Sequence, residues 1–309
     1  MTSLRNKIIL VTGASGSIGS ALSKTLATMK PKLLIILDQD ETGIFDLYEE
    51  IKNKCFVEYV IGNIRDREAM DYLFSHFKPD LIFHCAAYKH IVLMEKWKSE
   101  AYKTNILGLS NMVELAIQYG TKKFIFISSD KSVNPSSVMG QTKARGEEIC
   151  LKSNGTTKFV VVRFGNVMPS RGSVVPIFQK QISENKDLTV TGKKMRRYFM
   201  GIYDAVNLVI RASQIGKGGE IFLLDMGEQI YIQKLAELMI KLSGKPLKVV
   251  FTRKKKGEKF HEELYDKKTE KIKKVEKGIL LVTKNELPRR NILEKSSVKR
   301  FQKRLARSL

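Results

Sequence analysis

Ser129, Asp130 and Lys131 set a hydroxyl, a carboxyl and an amine side by side directly after an apolar run, and Met139 and Lys143 follow where a helical pattern opens. An adjacent acid and base suit a reaction that must remove one proton and supply another. For that work the carboxyl has to stay protonated, which a poorly solvated pocket favours. The lysine has to be neutral, which burial or nearby positive charge favours. Met139 stands four residues before Lys143, and a thioether has no dissociable proton, so it can be neither acid nor base. Two readings stay open: a chain without activity, or proton chemistry done by other groups. Asp130 and Lys131 favour the second, because an exposed ion pair in an idle turn is a poor account of a pair at the carboxyl end of a strand.

Those residues need a scaffold. Apolar runs at 8–12, 33–37, 56–61, 81–84, 124–128 and 159–163 alternate with helical patterns at 18–29, 44–53, 67–77, 100–119 and 138–151. This alternation predicts a parallel sheet covered on both faces, a Rossmann-like doubly wound α/β fold. Pro31 and Pro79 each fall just before a strand and end the preceding helix. After residue 163, short strands at 188–191, 221–224 and 248–251 separate helices at 174–184, 202–214 and 232–242. That rhythm predicts a smaller C-terminal substrate-binding lobe over the carboxyl ends of the strands. The expected organisation is a dinucleotide-binding domain over 1–165 that includes the catalytic residues, a lobe mainly over 166–265 with some segments returning to the core, and a basic C-terminal extension over 266–309. Within the extension, the Lys/Glu-rich run 267–277 reads as a surface helix or a flexible stretch.

The stretch Thr12-Gly13-Ala14-Ser15-Gly16-Ser17-Ile18-Gly19 lies between the first strand and the first helix. Gly13 and Gly16 permit a tight turn and close approach of the backbone to a pyrophosphate, Gly19 lets helix pack on strand, and the helix N-terminus favours negative charge. Ser15, Ser17 and Ile18 complete the turn. Asp38 ends the second strand 19 residues beyond Gly19, where a carboxylate binds both ribose hydroxyls of NAD and repels the additional phosphate of NADP. NAD is therefore the expected cofactor. Asn63 and Ile64 end the third strand and are expected against the adenine, and Ala86, Ala87 and Tyr88 follow the fourth strand, with small residues over which a dinucleotide can lie. Asn105 reads equally as a cofactor contact and as an internal helix support.

The formal net charge is +23, and from Arg253 to Leu309 there are 20 lysines and arginines against 8 carboxylates. A basic tail of this kind suits an anionic membrane surface or a solvated face, and a basic cleft suits a diphosphate. Sparse aromatics in the tail argue against nucleic acid. No apolar run approaches the roughly 20 residues of a transmembrane helix, and no signal-peptide layout precedes the first strand. Cys55, Cys85 and Cys150 are widely spaced, as in reduced cytoplasmic proteins. His76, His84, His90 and His261 lack metal-ligand spacing, so no metal is expected.

Longer motifs carry a family likeness. Ala86-Ala87-Tyr88-Lys89-His90, Leu93-Met94-Glu95, Ser129-Asp130-Lys131-Ser132-Val133-Asn134-Pro135 and Val138-Met139-Gly140-Gln141-Thr142-Lys143 are followed by Arg163-Phe164-Gly165-Asn166-Val167, Ser170-Arg171-Gly172-Ser173-Val174-Val175-Pro176 and Arg197-Tyr198-Phe199-Met200. In these the chain resembles the extended short-chain dehydrogenase/reductases, and among them the polysaccharide-biosynthesis-type nucleotide-sugar dehydratases that act as UDP-N-acetylglucosamine 4,6-dehydratases. The resemblance spans about residues 5–265, and methionine in place of the usual tyrosine is typical of the subgroup. It implies Asp130 as the acid at the C6 hydroxyl, Lys131 as the base at C5, Ser129 as a partner of the C4 oxygen, and Lys143 as a ligand of the nicotinamide ribose. It also implies UDP-sugar contacts at Asn166, Arg171, Val175 and Arg197, with Lys89 near the sugar. Glu258 falls where relatives read Arg-Pro-Gly-Glu-Lys, but Lys255 and Lys256 replace the first two residues, and lysine keeps the charge without the bidentate fork.

The implied reaction takes hydride from C4, eliminates water across C5 and C6, and returns hydride to C6. Lys143 through water, Lys131 and Asp130 are all candidates for the group that takes the C4 proton. The resemblance leans toward retention at C5 and toward a homo-oligomer, a dimer or higher, packed through the helices near 100–119 and 138–151. Two other readings are a UDP-sugar 4-epimerase, which wants the tyrosine and has no need of the Asp-Lys pair, and a silent nucleotide-sugar-binding protein.

Overall fold

A computed structural model describes residues 4–284. Six strands alternate with helices in the first half: β1 (Ile8–Thr12), β2 (Leu33–Asp38), β3 (Val57–Ile61), β4 (Leu81–His84), β5 (Lys123–Ile127) and β6 (Lys158–Arg163). They pair in parallel in the order β3-β2-β1-β4-β5-β6, and the strand Ile221–Leu224 adds in parallel beside β6. The order reverses direction between β1 and β4, which opens a crevice at their carboxyl ends. The runs read from the sequence agree with these strands to within one residue at either end.

Parallel strands are covered on both faces, so they read as unbroken apolar runs rather than alternating ones. Their side chains still divide by the two-residue period. Ile9, Val11, Leu34 and Ile36 face the helices Ser17–Thr28 and Ile202–Ile215, whereas Leu10, Ile35, Ile82 and Phe124 face Arg67–Phe77 and Leu109–Gln118. A separate small core of Phe178, Leu188, Val190, Met195, Ile232 and Ala236 holds the lobe. There the strands Leu188–Thr191 and Val249–Thr252 pair in parallel, and the helices Val174–Ser183 and Ile232–Ser243 lie close to their expected bounds.

One expectation is corrected and another refined. The run 267–277 is neither helix nor loose: Glu270–Glu276 is a strand that pairs antiparallel with Ile279–Lys284, and the latter pairs antiparallel with Ile221–Leu224. This hairpin forms one edge of the nine-stranded sheet. Its lysines occupy exposed positions of an edge strand, where charge blocks further pairing, so they carry a strand's edge protection rather than a helix's solvent face. Within the extension expected over 266–309, Glu270–Glu276 and Ile279–Lys284 are thus strands joined by a turn, and the residues after 284 lie outside the described ones. The helical pattern near 100–119 is present as helix from 98 to 118, with a refinement inside it. Lys98–Tyr102 and Leu109–Gln118 are α-helical, and Lys103–Gly108 between them is a π-helical turn. Such turns recur at functional sites, and this one carries Asn105.

Candidate active site

The crevice between β1 and β4 widens into a cleft of about 640 Å³, within the usual range for small-molecule and cofactor sites. At one end is the glycine turn. Gly13 has φ +66°, and a Cβ there would lie 2.6 Å from the Ala86 nitrogen; a Cβ on Gly19 would meet the Gly13 oxygen. The helix Ser17–Thr28 begins at Gly16 with no side chain capping it, so the first-turn N–H groups stay available to an anion. Asp38 is oriented by its backbone: Oδ2 accepts from the Ser15 N–H (3.0 Å), and Oδ1 accepts from Gln39 (2.8 Å) and Asp40 (3.2 Å). Asn63 donates to Gln39 Oε1 at 2.9 Å and accepts from the Arg65 N–H at 3.0 Å. Gly13, Ser15, Gly16, Ser17, Ile18, Gly19, Asp38, Asn63, Ile64, Ala86, Ala87 and Tyr88 all line this cleft, so the residues fit a dinucleotide.

Asn105 is the exception. It is buried off the cleft, accepts from the Tyr88 N–H at 2.8 Å, and donates to the Tyr88 oxygen (3.0 Å) and to Thr142 Oγ1 (2.9 Å). Of the two readings given to it, this geometry is that of a support: the π turn clamps the loop after β4 to the helix Val138–Lys152.

That helix opens beside the inner end of the cleft. Its first N–H groups meet two side-chain caps, the Gly140 N–H donating to Ser137 Oγ (3.1 Å) and the Val138 N–H to Glu95 Oε1 (2.7 Å). Met139 and Lys143, one turn apart, both line the cleft. Met139 packs with Met94, Ala101 and Val138 into an apolar wall. The Lys143 ammonium donates to the Ile127 oxygen at 2.8 Å and sits 4.9 Å from the centre of the Phe126 ring. Burial lowers its pKa from 10.5 to about 8. The neighbouring His84, buried and 2.9 Å from Thr12 Oγ1, is pushed down to about 3 by burial and then by Lys143, so it is neutral. Burial also drives the Cys85 thiol up to about 12 and lowers Lys89.

Beyond β5 the chain turns sharply through a 3₁₀ turn, Asp130–Ser132. Ser129 and Lys131 line the cleft; Asp130 lies fully buried behind them. Ser129 Oγ donates to Asp130 Oδ1 at 2.8 Å, Lys131 Nζ lies 2.9 Å from the same carboxylate, and Lys131 also donates to Asn166 Oδ1 at 2.7 Å. Carboxyl, amine and hydroxyl are therefore in contact, and Asn166 holds the amine.

Of the expected sugar-nucleotide contacts, Lys89, Asn166 and Arg171 line the cleft. Arg171 lies at the glycine-turn end, its N–H donating to Ser17 Oγ (2.9 Å) and its guanidinium 3.5 Å from Asp40. Val175, Arg197 and Glu258 do not line it. Val175 belongs to the helix Val174–Ser183, Glu258 closes a local turn by accepting from the Lys255 N–H (3.1 Å), and Arg197 faces a buried carboxylate, Glu262, at 3.6 Å.

Two carboxylates escaped the sequence reading. Glu262 approaches Lys131 Nζ at 3.8 Å and nothing local distinguishes it from Glu263. Glu147 accepts from Ser128 Oγ (2.6 Å), Ser132 Oγ (2.7 Å) and Arg163 (2.6 and 2.8 Å), and Arg163 is shared with Glu270 of the edge hairpin at 3.0 Å. This buried network underpins the turn that carries Asp130 and Lys131. A signal was available: Glu147 stands four residues after Lys143, on the same helix face.

The sequence matches the family described as polysaccharide biosynthesis protein over residues 9–284. The chain belongs to that family. Among curated relatives, the probable polysaccharide biosynthesis protein EpsC of Bacillus subtilis is 44% identical over 273 residues, 85% of this chain and 46% of that protein. The chain thus spans about half the length of the first curated relatives it matches. The UDP-N-acetylglucosamine 4,6-dehydratase (inverting) of Campylobacter jejuni is 35% identical, over 83% of this chain and 76% of its own. The UDP-glucose 4-epimerase of Rickettsia felis is also 35% identical, over 84% and 77%. Among solved structures, Pen from Bacillus thuringiensis superposes with a TM-score of 0.85 at 32% identity, covering 98% of this chain and 99% of its own. As a member of this family the chain has dehydratases and epimerases alike among its relatives, and no helix among the described residues is long and apolar enough to cross a membrane.

Proposed function

We propose that this family member is a NAD-dependent nucleotide-sugar 4,6-dehydratase acting on UDP-N-acetylglucosamine. The observation that carries the reading is the Asp130–Lys131 pair, in contact with each other, with Ser129 and with Asn166, at the inner end of a cleft whose other end fits a dinucleotide. When bound, NAD supplies a hydride acceptor at C4 and a hydride donor at C6. The chain's own residues supply the rest.

Proton count makes the pair usable as it stands. An Asp130 carboxylate beside a Lys131 ammonium holds the same number of protons as an Asp130 carboxylic acid beside a Lys131 amine. Moving one proton across a 2.9 Å contact converts the ion pair into the acid and base that elimination requires. Lys131 is exposed enough to meet C5, and Ser129 can hydrogen-bond the C4 oxygen and pass charge to Asp130. Met139, packed on Met94, Ala101 and Val138, presents an apolar side chain to this part of the cleft.

A second reading, a UDP-sugar 4-epimerase, is favoured by the Rickettsia relative. It uses the C4 oxidation alone and leaves the buried acid idle, and it wants a hydroxyl where Met139 stands. The test is direct: incubation with UDP-N-acetylglucosamine and mass analysis of the product. Loss of one water supports dehydration, an isomer of unchanged mass supports epimerisation, and an unaltered substrate defeats both. The product's C5 configuration, read by proton NMR, separates inversion, which the Campylobacter relative's name states, from the retention toward which the sequence resemblance leans.

A further inference from the structure

Glu262 faces the Asp130–Lys131 pair and has no part in the chemistry above. It is 3% exposed; one oxygen lies 3.8 Å from Lys131 Nζ and 3.6 Å from Arg197 Nε, and the other, Oε2, is buried with no hydrogen-bond partner among the described residues. A buried carboxylate oxygen without a donor carries a desolvation cost that a proton on that oxygen relieves. Its segment is fastened in place: Gln229 donates to the Glu262 backbone oxygen at 2.6 Å, and Lys259 Nζ donates to the Val133 oxygen at 2.7 Å. The charged groups facing it are Asp130 and Lys131 from the turn after β5, Arg197 from the strand Arg196–Arg197, and Lys259 from its own segment. Burial raises its pKa most and Asp130 adds to that, against the three cations.

The proposed reaction has a proton to place. Hydride removal from C4 frees the proton of the C4 hydroxyl, and a proton is needed again at C5 at the end. With that proton added, the Asp130–Lys131 pair holds one more than an acid beside a neutral amine requires, and Met139 has no site for the excess.

We propose that Glu262 takes a proton from Lys131 as the C4 hydroxyl gives up its own, and holds it until C5 is reprotonated, an inference that rests on the dehydratase reading. At rest Asp130 and Glu262 are carboxylates and Lys131 is an ammonium. The C4 proton passes to Ser129, whose own proton moves to Asp130 over 2.8 Å, while Lys131 yields a proton to Glu262 across the 3.8 Å gap, which closes with a small side-chain movement. Asp130 and Glu262 are now acids and Lys131 an amine. Lys131 takes the C5 proton, the C5–H electrons form the C5–C6 double bond, and the C6–O bond breaks as Asp130 gives its proton to the departing water. When hydride adds at C6, the Lys131 ammonium protonates C5, and Glu262 then returns its proton to Lys131. Two protons have entered, from the C4 hydroxyl and from C5, and two have left, one in the departing water and one to C5.

The test uses Glu262→Gln and Glu262→Asp with two readouts. In the first, infrared difference spectra of the cofactor-free protein across pH should show a protonated-carboxyl band that titrates above the ordinary glutamate range and is absent from the Glu262→Gln variant. In the second, the same variant should lose about 100-fold in kcat, the scale of a general acid–base contribution, with KM for UDP-N-acetylglucosamine unchanged. The acid limb of the wild-type pH profile should vanish in it, and the Glu262→Asp variant should recover part of the rate. An unchanged band, or wild-type kcat and pH profile in the Glu262→Gln variant, overturns the proposal. If the Glu262→Gln protein fails to fold by circular dichroism, the Glu262→Asp variant carries both readouts, with a shifted band expected and an unshifted one counting against. Should wild-type protein release no water from the sugar, the dehydratase reading fails, while the infrared titration still decides whether Glu262 can hold a proton.

Discussion

Replacing Lys143 by methionine should stabilise the cofactor-free protein at neutral pH while weakening dinucleotide binding. The lysine is buried, and burial lowers its pKa from 10.5 to about 8. At 1.36 kcal/mol per unit, holding it charged in the fold costs roughly 3 kcal/mol. Methionine removes that cost but leaves the Ile127 oxygen without the ammonium and forfeits the contact over Phe126, together about 1–2 kcal/mol. The net gain at pH 7 is thus about 1–2 kcal/mol. Its pH dependence follows from which state binds more protons. The folded pKa lies below the unfolded one, so between about 8 and 10.5 the unfolded chain holds the extra proton and wild-type stability rises with pH. By about pH 9.5 the wild type recovers roughly 2 kcal/mol at this site, and the variant's advantage should disappear. Urea midpoints followed by circular dichroism at the two pH values measure the difference. A variant less stable than wild type at pH 7, or an advantage that does not shrink with pH, would refute the reasoning. A gain in stability accompanied by a loss of cofactor affinity is what a functional buried charge predicts.

Gly13→Ala should abolish dinucleotide binding, because the new Cβ would lie 2.6 Å from the Ala86 nitrogen at a φ of +66°; calorimetry showing normal affinity would mean the turn is not the binding site. Asp38→Asn should narrow the preference for NAD over NADP, read as the ratio of the two Kd values, and an unchanged ratio would remove Asp38 from that role. Glu270→Ala should cost about 3–5 kcal/mol, since it strips one carboxylate from the buried Arg163 guanidinium; a change in unfolding free energy below about 1 kcal/mol would show that Glu147 alone satisfies Arg163. Lys131→Ala should end water loss from the sugar while NAD still binds, and normal turnover in that variant would sink the base assignment.

What could be read from the sequence was what local pattern encodes. β1 to β6 are short apolar runs bounded by turn residues, and the glycine turn combines spacing with a strand before it and a helix after. Asp130, Lys131, Met139 and Lys143 sit on the carboxyl end of β5 and the next helix, so their proximity follows from the fold alone. The failures share a cause. Lys271, Lys273 and Lys274 look like a helix's solvent face until the hairpin places them on a sheet edge. The π turn at Lys103–Gly108 is invisible in a periodic pattern, and what holds it is the reach of Asn105 to Tyr88 and Thr142. Glu262 joins Lys131 across more than a hundred residues of chain, a contact made by the packing of the lobe and by no spacing within it.

Met139 gains a physical meaning from this arrangement. Its side chain is 4% exposed and packs on Met94, Ala101 and Val138, so the residue one turn before Lys143 offers no group that can relay a proton. His84, the ring nearest Lys143 that could carry a proton, is held neutral by burial and hydrogen-bonded to Thr12. On the proposed dehydratase reading, proton handling falls instead to Ser129, Asp130, Lys131 and Glu262, which follow one another in space. The same reading leaves Lys143, buried and donating to the Ile127 oxygen, to bind the cofactor and set the local field. A methionine that looks like a missing catalytic group is, on this geometry, one that keeps two functions apart.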